Sequence, residues 1–576
     1  MAVIGIDLGT TNSLVSVWQD GKAVLIPNSL GEFLTPSAVG VDEDDNLIVG
    51  KIAKERLISH SAHTTASFKC FMGTDKMISL GERRFSSAEL SSFILRQLKK
   101  DAEIYLGEPV SEAVISVPAY FDDNGRNATK LAGELAGLKV ERIINEPSAA
   151  ALAYKINREE EAAFLVFDFG GGTLDISIVD MFDSVIDIIA VAGDNHLGGD
   201  DFNMAIALYF CNENKLEFSE LPESVKAVLL KQSEQCKIAL STQKTAAIIV
   251  NADQKNYSLV LDNQKLLEIT APLFERIRKP LVKALNDADM SASEIDEVIL
   301  VGGSSHMLLV RRYLENLFHR NIDVSISPDT AVAEGVAVAA GIKERREDIR
   351  DVVLTDICPF TLGIGLHNEA QEDNLRFFPM IERNSTLPSS YEHKFCTVCD
   401  NQTSIRISIA QGEKPYFKSN LFLGELEMEV PPAPRGQEAV NVRFTYDING
   451  ILQVDVQSLS TGLKKSKLIV NKNARLTDEE LARRVSQLEK LKIHPRELDE
   501  NKLLIARAES IYEQSLGADR EYIETALNRF ILILERQKPG KIRRAQKQFS
   551  DFLDSMEMGS MRNPFDFYDD SDDEEE

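Results

Sequence analysis

The chain has 576 residues, more than one hydrophobic core usually holds together, so we expect several domains. Its net charge of -27 arises from 91 Asp and Glu residues against 64 Lys and Arg residues, and so acidic a surface argues against nucleic acid and membrane as partners. Six cysteines in so long a chain do not make a disulfide scaffold, and we find no secretory leader and no apolar run that would span a bilayer. We therefore expect a cytoplasmic protein.

The first part of the chain, to about residue 345, alternates short β-branched runs with helical patterns, which predicts α/β layers. The clearest predicted strands are Ile4–Asp7, Val114–Val117, Phe164–Phe167 and Val298–Val301. The clearest predicted helices are Ser87–Ile104, Asn127–Ala136 and Thr330–Lys343.

The pattern changes after Arg350 to short alternating strands, with a strong hairpin signal at Asn449-Gly450. The predicted strands there are Ser404–Ala410, Asn441–Tyr446 and Leu452–Gln457. Helical patterns return at Thr477, which begins a capping box, and the chain ends in an acidic segment that we predict to be disordered.

Two segments of the first part repeat one pattern, in which an apolar strand ends in Asp and is followed by a glycine turn and a second apolar strand. Asp7 ends the first of these strands and Asp168 the second, and both carboxylates could hold Mg²⁺ through its waters. Glycine lets backbone N–H groups approach phosphate closely, and the turn residues are Gly9, Thr10, Thr11 and Asn12 in one copy and Gly170, Gly171, Gly172 and Thr173 in the other. Two ordinary hairpins are the alternative, but the repetition favours two halves that clamp one nucleotide.

A third glycine element, Gly302-Gly303-Ser304, follows a buried-strand pattern and precedes a helix. Alone it says little, but after two phosphate hairpins we expect it to lie on the adenosine side of the same site.

These elements, together with Ile144–Ala150 and Thr330–Ala337, resemble the actin–hexokinase–heat-shock ATPase superfamily. Longer matches resemble the DnaK-type seventy-kilodalton heat-shock chaperones, namely Val117–Phe121, Leu197–Phe202, Asp351–Asp356, Ala410–Glu413 and Tyr446–Ile451. The resemblance extends from residue 4 to about residue 480, and the short helical end looks most like the bacterial HscC branch.

The resemblance implies an α/β actin-like ATPase domain, followed by a β-sandwich peptide-binding domain and a short α-helical lid. The implied boundaries are 1–348 for the nucleotide-binding domain, 349–357 for the linker, 358–474 for the substrate-binding domain, 475–556 for the lid and 557–576 for an acidic tail. It implies an ATP-dependent chaperone whose ATP hydrolysis switches its affinity for extended apolar peptides, with ATP/ADP, Mg²⁺ and K⁺ as cofactors. The implied partners are unfolded or client polypeptides and a J-domain co-chaperone, and the implied state is a monomer.

The resemblance also implies roles for individual residues. The catalytic residues would be Lys69, Glu146, Asp168, Thr173 and Asp7, with Asp7, Asp168 and Asp175 holding Mg²⁺ through water. Beyond the two turns, the nucleotide would contact Gly198, Gly199, Glu234, Lys237, Ser241, Gly302, Gly303, Ser304, His306 and Asp329. Communication between domains would use Pro118, Arg126, Val352, Val353, Leu354 and Asp356, and the peptide groove would be lined by Ile364, Phe395, Val398, Ile405 and Ile407.

Three features depart from this pattern or fall outside it. His306 stands where the family often has an adenine-stacking arginine, and a mostly neutral imidazole predicts weaker nucleotide binding. The segment Thr242–Gln264 looks short, so we expect a nucleotide-exchange factor to be dispensable. Cys396 and Cys399 would point to opposite faces if both lay on a strand, so we expect neither metal nor redox function from them.

A small-molecule kinase and an actin-like filament former are alternative functions for the same ATPase fold. Neither gives a role to the β-rich region that follows the apolar linker.

Overall fold

The computed structural model describes residues 2–44, 46–157, 162–182, 185–252, 255–320, 322, 326–346, 349, 352–367, 375–447, 451–469, 495–515, 517–537 and 539–557. These residues form two compact units, of which the first reaches to Pro359 and the second begins at Phe360. The predicted turn at Asn449-Gly450, the capping box at Thr477 and all but the first residue of the predicted acidic tail at 557–576 lie outside the described residues.

The first unit is a mixed α/β structure. Its strands are β1 (Val3–Asp7), β2 (Asn12–Gln19), β3 (Lys22–Ile26), β4 (Thr35–Pro36), β5 (Ala38–Val41), β6 (Leu47–Val49), β7 (Thr64–Ala66), β8 (Met77–Leu80), β9 (Arg83–Ser86), β10 (Glu112–Val117), β11 (Lys139–Asn145), β12 (Ala162–Phe169), β13 (Leu174–Phe182), β14 (Val185–Asp194), β15 (Thr245–Ala252), β16 (Lys255–Asp262), β17 (Glu297–Val301) and β18 (Val353–Ile357). Its helices are α1 (Lys51–Ser59), α2 (Ser87–Leu106), α3 (Asp123–Leu135), α4 (Glu146–Asn157), α5 (Gly199–Glu213), α6 (Glu223–Ala239), α7 (Asn263–Ala288), α8 (Leu308–Phe318) and α9 (Ala331–Lys343). Short 3₁₀ turns lie at Phe68–Phe71, Phe218–Glu220 and Gly303–His306.

Two sheets of this unit repeat one topology. In the first, β1 runs antiparallel to β2 and parallel to β10. In the second, β12 runs antiparallel to β13 and parallel to β17. The predicted duplication is therefore confirmed at the level of structure, because both strand–turn–strand elements occupy the same place in equivalent sheets.

Helices α4 and α9 pack against each other closely because both are rich in small residues. A Cβ atom on Gly335 would lie 1.7 Å from the carbonyl oxygen of Ala149, so glycine is required at this crossing. Ala149, Ala333 and Ala337 are fully buried beside it. The close contact fixes Glu146, the first residue of α4, relative to β1, against which α9 also packs.

Strand β18 contains most of the predicted linker and adjoins β14 in the second sheet. It pairs in parallel with β14, where Leu354 lies opposite Ile186. Val352 and Leu354 are partly buried against the core that contains Ile186. The linker sequence therefore forms a docked strand in this structure.

The second unit begins with strands and ends with helices. Its strands are β19 (Leu362–Leu366), β20 (Arg376–Ile381), β21 (Thr386–Leu387), β22 (Ser389–Cys396), β23 (Ser404–Gln411), β24 (Leu421–Glu429), β25 (Ala439–Tyr446), β26 (Leu452–Ser458) and β27 (Lys464–Ile469). They include two four-stranded antiparallel sheets, β20-β19-β23-β24 and β22-β25-β26-β27. The helices are α10 (Asp499–Gln514), α11 (Ala518–Glu535) and α12 (Pro539–Glu557), which share a core with stacked Phe530 and Phe549.

The loop after β22 corrects one expectation from the sequence. Strand β22 ends at Cys396, and the chain bends sharply at Val398 and Cys399. Alternation of side chains along a strand therefore does not apply to Cys399, and the argument that separated the two thiols was wrong.

Candidate active site

Five ionisable side chains from both halves of the first unit lie together. Asp7 ends β1, Asp168 and Asp175 lie opposite each other on β12 and β13, and Glu146 begins α4. Lys69 reaches them from a short 3₁₀ turn, and its Nζ donates to Glu146 Oε1 at 2.7 Å. Both of these side chains are at least 90% buried, which makes the pair far less screened than a surface ion pair.

The pKa values of this cluster reflect its excess of negative charge. Burial raises the pKa of Asp7 to about 6 and that of Asp175 to about 7, and the Glu146 carboxylate adds to both shifts. Burial and the neighbouring carboxylates also raise the pKa of Asp168 well above its usual value. Burial opposes the charge of Lys69, but Glu146 and Asp7 outweigh it and raise the pKa of the lysine. The site therefore favours an additional cation.

A hydrated Mg²⁺ ion fits this set of donors. Asp175 accepts from the backbone N–H of Tyr120 through Oδ1, while its buried Oδ2 has no hydrogen-bond partner. Within the described residues, no three His, Cys, Asp or Glu side chains are close enough to hold one metal ion directly. Carboxylates that are too far apart to bind one ion directly suit Mg²⁺, because this ion keeps several of its waters.

The predicted phosphate turns meet in one cradle. A Cβ atom on Gly171 would lie 2.2 Å from Thr11 Oγ1, which brings the second turn against the first. The backbone N–H of Gly199 donates to the carbonyl of Gly170 at 3.0 Å, and that of Asp200 donates to Gly171 at 2.8 Å. Side chains at these positions would collide with their neighbours, so glycine is required. Without side chains, the backbone N–H groups of the turns can come close to a phosphate. Gly9, Thr10, Asn12, Gly172, Thr173 and Gly198 lie in the same turns or directly beside them.

The residues predicted for the adenosine side converge on this cradle. Lys237 Nζ donates to the carbonyl of Gly199 at 3.0 Å, and a Cβ atom on Gly199 would lie 2.2 Å from Ser304 Oγ. Glu234 lies one helical turn before Lys237 and interacts with its charge. The hydroxyl of Ser241 bonds back to the carbonyl of Lys237 at 3.5 Å, within its own helix end.

The glycine element at the end of β17 completes this side. Gly302 has a φ of 80°, and a Cβ atom there would lie 2.6 Å from the carbonyl oxygen of Phe169, so only glycine fits. Gly303 begins the following turn next to Asp329, whose Oδ2 lies 3.1 Å from His306 Nε2. His306 is half exposed.

A polar chain of Arg126, Asn145 and Asp356 lies between the cluster and the docked linker. The sequence had predicted no role for its central member, Asn145. Arg126 Nη2 contacts the carbonyl of Ala119, next to Pro118, at 3.4 Å, and donates to Asn145 Oδ1 at 2.5 Å. Asn145 Nδ2 in turn donates to Asp356 Oδ1 at 2.7 Å. Asn145 lies within a sequence motif that was recognised, and its position at the end of a buried strand, directly before Glu146, was the signal that could have identified it.

The residues predicted to line a peptide groove lie on the two sheets of the second unit. Ile364 pairs with Ile409, which puts it on the same face as Ile405 and Ile407, and all four are buried. Phe395 is half-buried on the other sheet and packs against Phe378, whose ring centroid is 5.5 Å away. Val398 is 41% exposed in the loop after β22. The structure brings the three isoleucines together and places Phe395 and Val398 on a separate strand and loop.

Comparison with known proteins decides the family. The family model described as Hsp70 protein matches residues 3–79 and 75–530. The chain belongs to the Hsp70 family. It is also 39% identical over 525 residues to the chaperone protein DnaK of Thermotoga neapolitana, a match that covers 88% of this chain and 87% of that protein.

Membership of the Hsp70 family identifies the chain as an ATPase and an ATP-dependent chaperone. It binds unfolded polypeptides and works with co-chaperones. The kinase and filament alternatives are not favoured, since an Hsp70 match extends through the β-rich region that neither of them uses. Among the described helices of this Hsp70 chain, none is both long and apolar enough to cross a membrane.

Proposed function

We propose that residues 1–348 form an actin-like nucleotide-binding domain that hydrolyses ATP and drives a β-sandwich peptide-binding domain at 358–474 through the linker at 349–357. Residues 475–556 would form the lid, and the protein would act as a monomer of the HscC branch. The observation that carries the proposal is the convergence of Lys69, Glu146 and both phosphate turns on one buried site.

Each group of residues in the cluster would have a separate role in phosphoryl transfer. Mg²⁺, when bound, would neutralise charge on the phosphates, and K⁺ is proposed as a further cofactor. Asp7, Asp168 and Asp175 would hold the hydrated ion, while Thr10, Thr11, Thr173 and backbone N–H groups would bind the phosphate oxygens. Lys69, oriented by Glu146 at 2.7 Å, would orient the attacking water and stabilise the charge that develops on the transferred group.

The polar chain would transmit the state of the site to the linker. Glu146 and Asn145 are adjacent, so a shift of Glu146 toward or away from the nucleotide moves the amide that holds Asp356. Arg126 ties the same amide to the segment after Pro118. We infer that release of Asp356 lets β18 leave β14, and that this is the step that changes the affinity for peptide.

The peptide would bind as an extended chain along Ile364, Ile405 and Ile407, with Phe395 and Val398 closing the groove. Main-chain hydrogen bonds would give affinity that tolerates many sequences. Unfolded or client polypeptides are the proposed ligands, and a J-domain protein is the proposed co-chaperone that stimulates hydrolysis.

The proposed coupling is tested by releasing a bound fluorescent apolar peptide with ATP. ATP should accelerate release in the parent chain, and Thr173→Ala should lower ATP turnover more than about tenfold because a hydroxyl is removed from the phosphate turn. Peptide release that does not respond to ATP in the parent would contradict the proposal.

The rate of ADP release is expected to depend on pH through His306. The hydrogen bond to Asp329 raises the pKa of His306 above its usual 6.5, against the effects of burial and of Arg311. The ring is cationic below this raised pKa, so its positive charge persists to a higher pH than that of a free imidazole. Cation–π attraction to adenine, worth about 1 kcal/mol, should be present there and lost as the pH rises through that pKa, so ADP release should accelerate.

Stopped-flow release of a fluorescent ADP analogue across this pH range measures the effect. His306→Arg should slow release several-fold at high pH and remove the pH dependence, while His306→Asn should release quickly at every pH. A pH profile that is the same in all three proteins would exclude His306 from adenine binding. Fast release above the raised pKa would also make an exchange factor dispensable there.

A further inference from the structure

Two cysteine side chains are more exposed to solvent than the other four. Cys396 and Cys399 are exposed, on either side of the loop position Val398. The other four are half-buried or buried, namely Cys70, Cys211, Cys236 and Cys358. Exposure makes the pair accessible to small thiol reagents in a way that the buried cysteines are not.

The chain bends at Val398 and Cys399, directly after β22. The side chain of Gln402 holds this bend, since its Oε1 accepts from the backbone N–H of Val398 at 2.9 Å and contacts that of Cys399 at 3.4 Å. A fully extended chain would separate the Cα atoms of Cys396 and Cys399 by about 10 Å, since each residue spans about 3.3 Å. A disulfide requires Cα atoms about 4.4–6.8 Å apart, so a link between Cys396 and Cys399 needs a bend between them, as the chain has here.

The loop is anchored on both sides of the bend. The backbone N–H of Thr397 donates to the carbonyl of Glu438 at 2.9 Å, and that of Asn401 donates to the carbonyl of Ala433 at 2.8 Å. These bonds hold the ends of the loop while Val398, Cys399 and the side chain of Cys396 remain exposed. A structural zinc site would need four ligands, and in the described part of the chain no third ligand accompanies the pair.

We propose that Cys396 and Cys399 are a thiol–disulfide modification site whose oxidation restrains the loop carrying Val398. The oxidant is a low-molecular-weight disulfide. One thiolate attacks its S–S bond to form a mixed disulfide and expels one thiol; the second thiolate then closes the intramolecular bond and expels the other. Two electrons pass to the reagent, and the protein loses two hydrogens.

The consequence for peptide binding rests on the proposed groove. A covalent link across the bend restrains the segment that holds Val398, so opening of the loop becomes harder. Oxidised protein should therefore release bound peptide several-fold more slowly than reduced protein.

The chemistry is tested on the full chain in glutathione/glutathione-disulfide buffers by mass spectrometry and peptide mapping. The parent should lose two hydrogens and show a reversible Cys396–Cys399 link, while Cys396→Ser and Cys399→Ser should each retain a glutathione adduct on the remaining thiol. Persistent adducts on both cysteines of the parent, links between two molecules, or no oxidation at either thiol would overturn the proposal.

Release of a fluorescent peptide from oxidised and reduced protein tests the effect on function. The double serine variant is the matched control, and its release rate should not respond to the buffer. A link that forms in the parent without slowing release would refute the control of peptide binding. Failure of reduced parent protein to bind peptide at all would instead contradict the proposed groove, and the thiol mapping would still decide whether the disulfide forms.

Discussion

Lys69→Ala should lower ATP turnover more than about tenfold while leaving nucleotide binding largely intact, because the lysine acts mainly on charge that develops in the transition state. Its Nζ lies 2.7 Å from Glu146 in a buried site where the carboxylates of Asp7, Asp168 and Asp175 are near. Removal of the lysine takes positive charge from the place where the phosphoryl group is transferred. Single-turnover hydrolysis together with equilibrium nucleotide binding separates the two effects.

Lys76→Ala is the matched control for this substitution. Lys76 is exposed, and its Nζ lies 3.3 Å from the ring centroid of Phe71 in the segment that follows Lys69. Turnover should be unchanged in this variant. Parent-like turnover in Lys69→Ala would remove the lysine from catalysis, and a comparison of thermal unfolding would exclude loss of the fold as the cause of any decrease.

The second large effect is expected at the docked linker. Leu354→Asp should leave basal ATP hydrolysis in place and abolish both ATP-accelerated peptide release and stimulation of hydrolysis by peptide. Leu354 pairs with Ile186 and packs against the core behind β14, and burial of such a side chain is worth about 1.5–3 kcal/mol. A carboxylate there opposes docking, because a buried charge without a partner is unfavourable.

Leu208→Asp introduces the same charge at an exposed position of α5, where the leucine is 49% exposed. It should respond to ATP as the parent does. If ATP still accelerated peptide release from Leu354→Asp to the parental extent, docking of β18 would not be the coupling step.

The phosphate turns could be predicted because their signals are local and occur twice. Asp7 and Asp168 each end an apolar strand, and glycine and hydroxyl residues follow within a few positions, so the sequence alone indicated matching hairpins. The short strands of the second unit could be predicted in the same way from their alternation, as at Ser404–Gln411.

The interactions that were missed depend on contacts between distant segments. Asn145 and Asp356 are 211 positions apart, and nothing near either residue indicates their hydrogen bond. The pKa of His306 is raised by its hydrogen bond to Asp329, which lies 23 positions later, and the type of residue alone did not indicate that shift. Cys399 was misplaced because the end of a strand is set by the hydrogen bonds of Gln402 as much as by the apolar pattern before it.

Docking of β18 also covers part of β14 that would otherwise be open to pairing with another strand. With the linker in place, the first three residues of β14, 185–187, are paired with residues 353–355 of β18. When the linker leaves, β14 becomes the outermost strand of its sheet and presents a row of unsatisfied groups, which is a template for pairing with another polypeptide. The nucleotide state that frees the linker would therefore expose an unpaired edge strand on the chaperone itself. Rapid return of the linker would protect the protein from self-association at high concentration.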